Sequence, residues 1–352
     1  AASRAWAHQA NGWTWNVTFP VESAPPGTRG DLRAGEGTLP GGDGTLPWSL
    51  PRVENLGDSA ARAKLAGRVY AVPMLDHLAL ELSRTALQQE DLGVDAAPDL
   101  LCLSLSNCDG VGHRFGPRSV EVTDVLLRVD RGLGVLFDLL DRRLGRDGWV
   151  ACLSADHGIP DLPEQRLADG FSGLRVSKAE LAKLRGKLRD YLKETLGSTS
   201  ELTVIGHSVW MDAEAVREAG GDPDQVRKQL AELVRELAPW ADLVFTREEL
   251  IAGGARGILG LAQASYQDST APDLLIHSLP GTLLGLETGT SHGSAHDYDR
   301  SVPLIFLGSP FAPGEIIRDA GSEDAVPTLL RALGWTPKEV SALDLDGQSL
   351  LD

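Results

Sequence analysis

Asp109-Gly-Val-Gly-His113, the adjacent pair Asp156-His157, and His292 within Thr-Ser-His-Gly-Ser carry the side chains of a metal site suited to phosphate-ester chemistry. Carboxylate and imidazole are ligands that zinc takes in a tetrahedral arrangement. The spacing of Asp109 and His113 lets both side chains leave one turn of irregular backbone toward a common ion, with Gly110 and Gly112 relieving the steric limits on that turn. Asp156 and His157 are neighbours, and neighbouring side chains at a strand end normally diverge. Both can ligate only where the backbone turns sharply, which Gly158 assists. Either of His296 and Asp297, just beyond His292, could orient a ligand through a hydrogen bond, but both are read as polar loop residues.

Each motif follows an apolar run that reads as a buried strand: 99–105, 149–154 and 274–279. Ligands collect at the carboxyl ends of strands in open α/β sheets, so distant segments can converge there. Apolar residues at helical spacing predict a helix over 73–89 and another from a Ser119 cap to about Arg143, whose apolar face is Val122, Leu126, Val129, Leu133, Leu136 and Leu140. With the strand at 149–154 the second helix makes a parallel crossover unit. Residues 1–60 are rich in Trp, Gly and Pro, show no sustained period and read as irregular. Residues 161–255 hold charged helices at 177–196 and 222–237 and short strands at 202–211 and 242–246, which suggests an inserted α+β cap. The core is then 61–160 with 256–352, the strands 273–278 and 302–307 returning to the main sheet before a last helix at 324–333.

A chain of 352 residues, 42% hydrophobic and 24% charged, can bury a sizeable core. Its net charge of −17 opposes nucleic acid and anionic lipid as partners. A phosphorylated small molecule stays compatible, because a bound divalent cation can dominate the local field. Three Cys, two of them in the runs read as buried strands, argue against a disulfide scaffold. No stretch reaches the roughly 20 apolar residues of a membrane span.

The three motifs in this order resemble the alkaline phosphatase superfamily, in particular the bacterial alkaline phosphatases and the nucleotide pyrophosphatase/phosphodiesterases. Val120-Glu-Val-Thr-Asp-Val-Leu-Leu-Arg-Val-Asp, Ala264-Ser-Tyr-Gln-Asp-Ser-Thr-Ala-Pro-Asp, Pro303-Leu-Ile-Phe-Leu-Gly and Asp324-Ala-Val-Pro-Thr-Leu-Leu are similar to the family's text as well. The resemblance covers roughly 60–352. It implies a three-layer α/β sandwich with a mostly parallel central sheet and an inserted cap. It further implies that Asp109, His113 and His292 hold one zinc and Asp156 and His157 another, with manganese or another divalent ion as the alternative. Phosphomonoesters are favoured over diesters as substrates. A phosphoglycerate-mutase-like phosphotransferase shares part of the text and is the less favoured branch. Location in the periplasm or outside the cell is implied in the same way.

The family also places an Asp ligand and a Thr or Ser nucleophile upstream of the first motif. The sequence offers no clear counterpart, Thr18 in Asn-Val-Thr-Phe-Pro being the one weighed, and the catalytic residue is left unassigned. The chain therefore reads as a C-terminal portion with the fold incomplete at its start, and the missing N-terminal portion of the same enzyme as a partner. A non-catalytic metal-binding or scaffold protein is the contrasting expectation.

Overall fold

The computed structural model describes residues 5–42, 44–197, 202–315 and 318–351, arranged as two compact units. The first comprises 1–159 and 301–352; the second, Pro160–Arg300.

In the first unit the helix Val120–Leu144 is the organising element. The Ser119 side chain caps it by accepting from the Val122 amide, one of the four donors a helix start leaves unpaired. Val122, Val125 and Leu136 are buried, whereas Leu126, expected on the same face, is half exposed. The helix Met74–Gln89 packs on it through Leu80 and Leu87, and not on a sheet, while Leu75 and Leu82 of the same apolar spacing are exposed. A further helix, Ser59–Val69, was not anticipated, and the irregular start contains a short helix at Ala5–Ala10 and a two-stranded pairing of Thr14–Trp15 with Trp48–Ser49. Trp15, Trp48, Leu65, Val69, Val111, Phe115 and Val125 fuse these pieces into one apolar core.

Strand Val150–Ser154 forms where expected, but its partner is Leu304–Gly308, and the pair is antiparallel. The run 100–105 carries no strand, and Leu100 is 81% exposed with Cys102 also exposed. The parallel crossover read from this run is therefore absent among the described residues. The fold class is α/β, with mixed strand pairing in place of a mostly parallel sheet.

The second unit has a four-stranded sheet, in spatial order Leu202–Ile205, Ser208–Met211, Leu274–Ser278, Ala241–Thr246. The single strand expected over 202–211 is a hairpin that turns at Gly206, where φ is +54°. Leu274–Ser278 hydrogen-bonds to Ser208–Met211 and Ala241–Thr246, so this strand lies in the sheet of the cap segment and not in a main sheet. Helices Lys178–Leu196 and Pro223–Leu237 supply Leu188, Leu192, Leu230 and Val234 to the core beneath. Ser177 and Glu180 form a reciprocal capping box at the start of the former. Thr282–Leu284 pairs in parallel with Leu174–Val176.

Candidate metal centre

Asp109 and His113 lie on a regular helix, Asn107–Phe115, and not on an irregular turn. Four residues apart on a helix, they occupy one face. The helix forms despite two glycines because Val111 and Phe115 on its other side are buried in the first unit's core. Gly110 is needed for packing: a Cβ there would meet the Tyr70 carbonyl oxygen at 2.6 Å.

The start of this helix is fixed by Asn107, which is wholly buried. Its Nδ2 donates to the carbonyls of Val69 and Tyr70 at 3.2 and 2.8 Å, and its Oδ1 accepts from the Asp76 amide at 2.8 Å. The Asn107 amide donates in turn to Asp76 Oδ1 at 3.0 Å. Burial raises the Asp76 carboxyl above its ordinary range, and the backbone amides of Asn107 and Ser106 offset part of that. Asn107→Ala strands a buried amide and two carbonyls, so a loss of about 2–3 kcal/mol is expected. Chemical denaturation of the metal-free chain measures it, and an unchanged midpoint would contradict the role given to Asn107.

Four of the five expected ligands meet within the first unit. His113 Nε2 is 3.2 Å from Asp109 Oδ1, and His157 Nε2 is 3.9 Å from the same oxygen. Asp156 Oδ2 is 3.4 Å from His157 Nε2, with the Asp156 side chain 88% exposed. Asp156 and His157 lie just beyond strand Val150–Ser154, as expected. His157 Nδ1 is 3.1 Å from the Gly158 carbonyl oxygen. A carbonyl only accepts, so Nδ1 carries a proton, and Nε2 is the ring atom turned toward the carboxylates of Asp109 and Asp156.

The donor set fits a zinc-type ion. Bonds of about 2.0–2.1 Å in a tetrahedron place neighbouring donors roughly 3.3 Å apart, close to the 3.2 and 3.4 Å separations of the Asp109–His113 and Asp156–His157 pairs.

Tyr70, at the end of the helix Ser59–Val69, was not singled out from the sequence. Its hydroxyl donates to Asp109 Oδ2, which leaves Oδ1 to the imidazoles. That bond first, then burial and the negative field of Asp109 and Asp156, pushes the phenol up to about 12. Cys108, beside Asp109, stays a thiol because burial pushes it up to about 11.

His292 belongs to the second unit, on the segment between strand Thr282–Leu284 and the short helix Asp297–Arg300. Thr290, two residues before it, is buried and donates through Oγ1 to the Pro160 carbonyl at 3.0 Å. Thr18, the hydroxyl weighed as a nucleophile, instead donates from Oγ1 to buried Asp124 at 2.6 Å.

A family profile for type I phosphodiesterase / nucleotide pyrophosphatase matches residues 7–299. The chain is 27% identical over 320 residues to alkaline phosphatase PhoV of Synechococcus elongatus, covering 90% of this chain and 55% of that protein. It is 28% identical over 328 residues to alkaline phosphatase PafA of Elizabethkingia meningoseptica, covering 91% and 57%. The crystal structure of wild-type PafA superposes with a TM-score of 0.79 at 25% identity, over 94% of this chain and 61% of that one. The chain thus spans little more than half the length of these curated relatives.

Proposed function

The chain belongs to the type I phosphodiesterase / nucleotide pyrophosphatase family, and on that premise we propose that it carries the metal-binding part of a phosphate-ester hydrolase. Asp109, His113 and His292 would hold one divalent ion, and Asp156 and His157 a second, zinc being the ion that best suits these donors. The observation that carries this reading is the convergence of His113 Nε2 and His157 Nε2 on the carboxylates of Asp109 and Asp156. Paired ions bound there would stabilise charge on the attacking and leaving oxygens of a phosphoryl transfer.

The protein's own groups prepare that chemistry. Tyr70 fixes one Asp109 oxygen so that the other faces His113 and His157. The Gly158 carbonyl holds the proton on His157 Nδ1. Phosphomonoesters are the favoured substrates, supported by the names of the relatives that match across most of the chain. A site outside the cytoplasm is part of the proposal on the family resemblance alone; among the described residues no helix is long and apolar enough to cross a membrane. The upstream portion of the same enzyme, expected from the sequence as a partner, belongs to this proposal too. Leu100, 81% exposed, and Ile305, 48% exposed, give it apolar surface to cover.

Zinc-loaded chain assayed on p-nitrophenyl phosphate and bis-p-nitrophenyl phosphate tests the reading. Chelator-sensitive turnover, faster on the monoester, supports it. Turnover that a chelator leaves intact overturns the metal-dependent mechanism, and a faster diester rate reverses the substrate order. A folded chain that binds metal without turnover fits either the scaffold expectation or a metal-binding portion that needs its upstream partner.

A further inference from the structure

The segment bearing His292 is held on both sides by side chains that the metal site does not use. Upstream is Thr290, bonded to the Pro160 carbonyl. Downstream is Asp299, 5% exposed, whose Oδ2 accepts from the Ser294 amide at 2.7 Å and from Ser294 Oγ at 2.6 Å. Ser294 Oγ also accepts from the His296 amide at 3.3 Å. His296 is more than a polar loop residue. Its Nε2 lies 2.9 Å from the Ser278 carbonyl oxygen, and its ring packs between His277 and Tyr298 at centroid distances of 4.4 and 5.1 Å. The loop is thereby tied to the end of strand Leu274–Ser278. Between the two anchors the backbone passes through Gly293 at φ +107°, a conformation L side chains rarely adopt.

A flexible ligand must lose its freedom when a metal binds, and holding it in place beforehand removes that cost. The helix Asp297–Arg300 is a single turn. Among the described residues the two side-chain hydrogen bonds of Asp299 go to Ser294, two residues from His292, and its charge also acts on His207.

We propose that Asp299 is a positioning residue: through Ser294, and together with Thr290 and His296, it presets the backbone that presents His292 to the metal. This inference rests on the reading of His292 as a metal ligand. Asp299 touches neither metal nor substrate, and its effect passes through the loop.

Zinc affinity of the full chain, measured by competition with a chromophoric chelator, tests the proposal alongside the unfolding midpoint. Asp299→Ala is expected to weaken zinc binding about 10–100-fold, the usual effect of losing a group that orients a ligand. Asp299→Asn, whose amide oxygen can still accept from Ser294, is expected to restore most of the affinity. Hydrogen exchange at the Ser294 amide should quicken in the Ala variant and not in the Asn variant. In a double-mutant cycle Asp299→Ala should add little to His292→Ala. Should Asp299→Ala fail to fold, Ser294→Ala removes the hydroxyl contacts alone and is expected to weaken zinc several-fold. Unchanged affinity in folded Asp299→Ala, or in Ser294→Ala where that variant stands in, overturns the proposal, as does an effect that persists in full on the His292→Ala background. His292→Ala leaving affinity untouched would instead sink the ligand assignment itself.

Discussion

Asp109→Ala is expected to remove tight zinc binding. Asp109 Oδ1 approaches both His113 Nε2 and His157 Nε2, at 3.2 and 3.9 Å. Structural zinc sites are worth about 10–16 kcal/mol in all, or roughly 3 kcal/mol per ligand of four. Losing one then weakens binding about 100-fold. The same substitution has a signature in the metal-free chain. Tyr70 titrates at about 12 chiefly because its hydroxyl is bonded to Asp109, and without that carboxylate it should fall toward the ordinary tyrosine value near 10. The sign follows from linkage: a phenol raised in the folded state contributes stability below its unfolded value. That stability is lost as pH rises from about 10 through 12. Ultraviolet titration of tyrosinate in wild type and Asp109→Ala reads this directly. Identical tyrosinate curves would show that the Tyr70–Asp109 bond does not shape the site.

Asp124→Ala is expected to be the most damaging single change to stability among the first unit's polar residues. Asp124 is wholly buried. Its Oδ2 accepts from Trp15 Nε1 at 2.8 Å and Arg128 Nε at 2.6 Å, and its Oδ1 from the Thr18 amide and hydroxyl, both at 2.6 Å. Arg128 is 29% exposed, so water takes over part of its charge and the ion pair itself is worth little. Most of the cost comes from the buried Trp15 indole and Thr18 amide left without an acceptor. The expected loss is about 3 kcal/mol, with Asp124→Asn losing less because its oxygen still accepts. Urea unfolding measures both, and a loss under about 1 kcal/mol for the Ala variant would contradict the role of Asp124 as the anchor of the N-terminal segment.

The sequence exposes most of this organisation where side-chain chemistry is local. The Ser119 and Ser177 caps, the 74–89, 120–144 and 178–196 helices and the strand leading to Asp156 and His157 can be read from period and capping residues. Pairing is not local. Nothing in Leu274–Ser278 announces that its hydrogen bonds go to Ser208–Met211 and Ala241–Thr246, and nothing in 99–105 announces that Leu100 and Leu101 stay exposed while Leu103 and Leu105 pack on the helices. The helix under Asp109 was hidden by Gly110 and Gly112, which suggest a turn. Gly110 serves the close approach of Tyr70 instead. Tyr70, Asn107 and Asp76 escaped notice for the same reason, since their roles arise only once distant segments are packed. Asp124 and Thr18 show the reverse case: a hydroxyl weighed for chemistry donates to a buried carboxylate.

The most direct test of the account is divalent metal retained per chain, by elemental analysis of zinc-loaded and desalted wild type and Asp109→Ala. The expected result is at least one equivalent of zinc on wild type, lost from a folded Asp109→Ala. Wild type that keeps no zinc, or an Asp109→Ala chain that keeps as much as wild type, would contradict the metal centre.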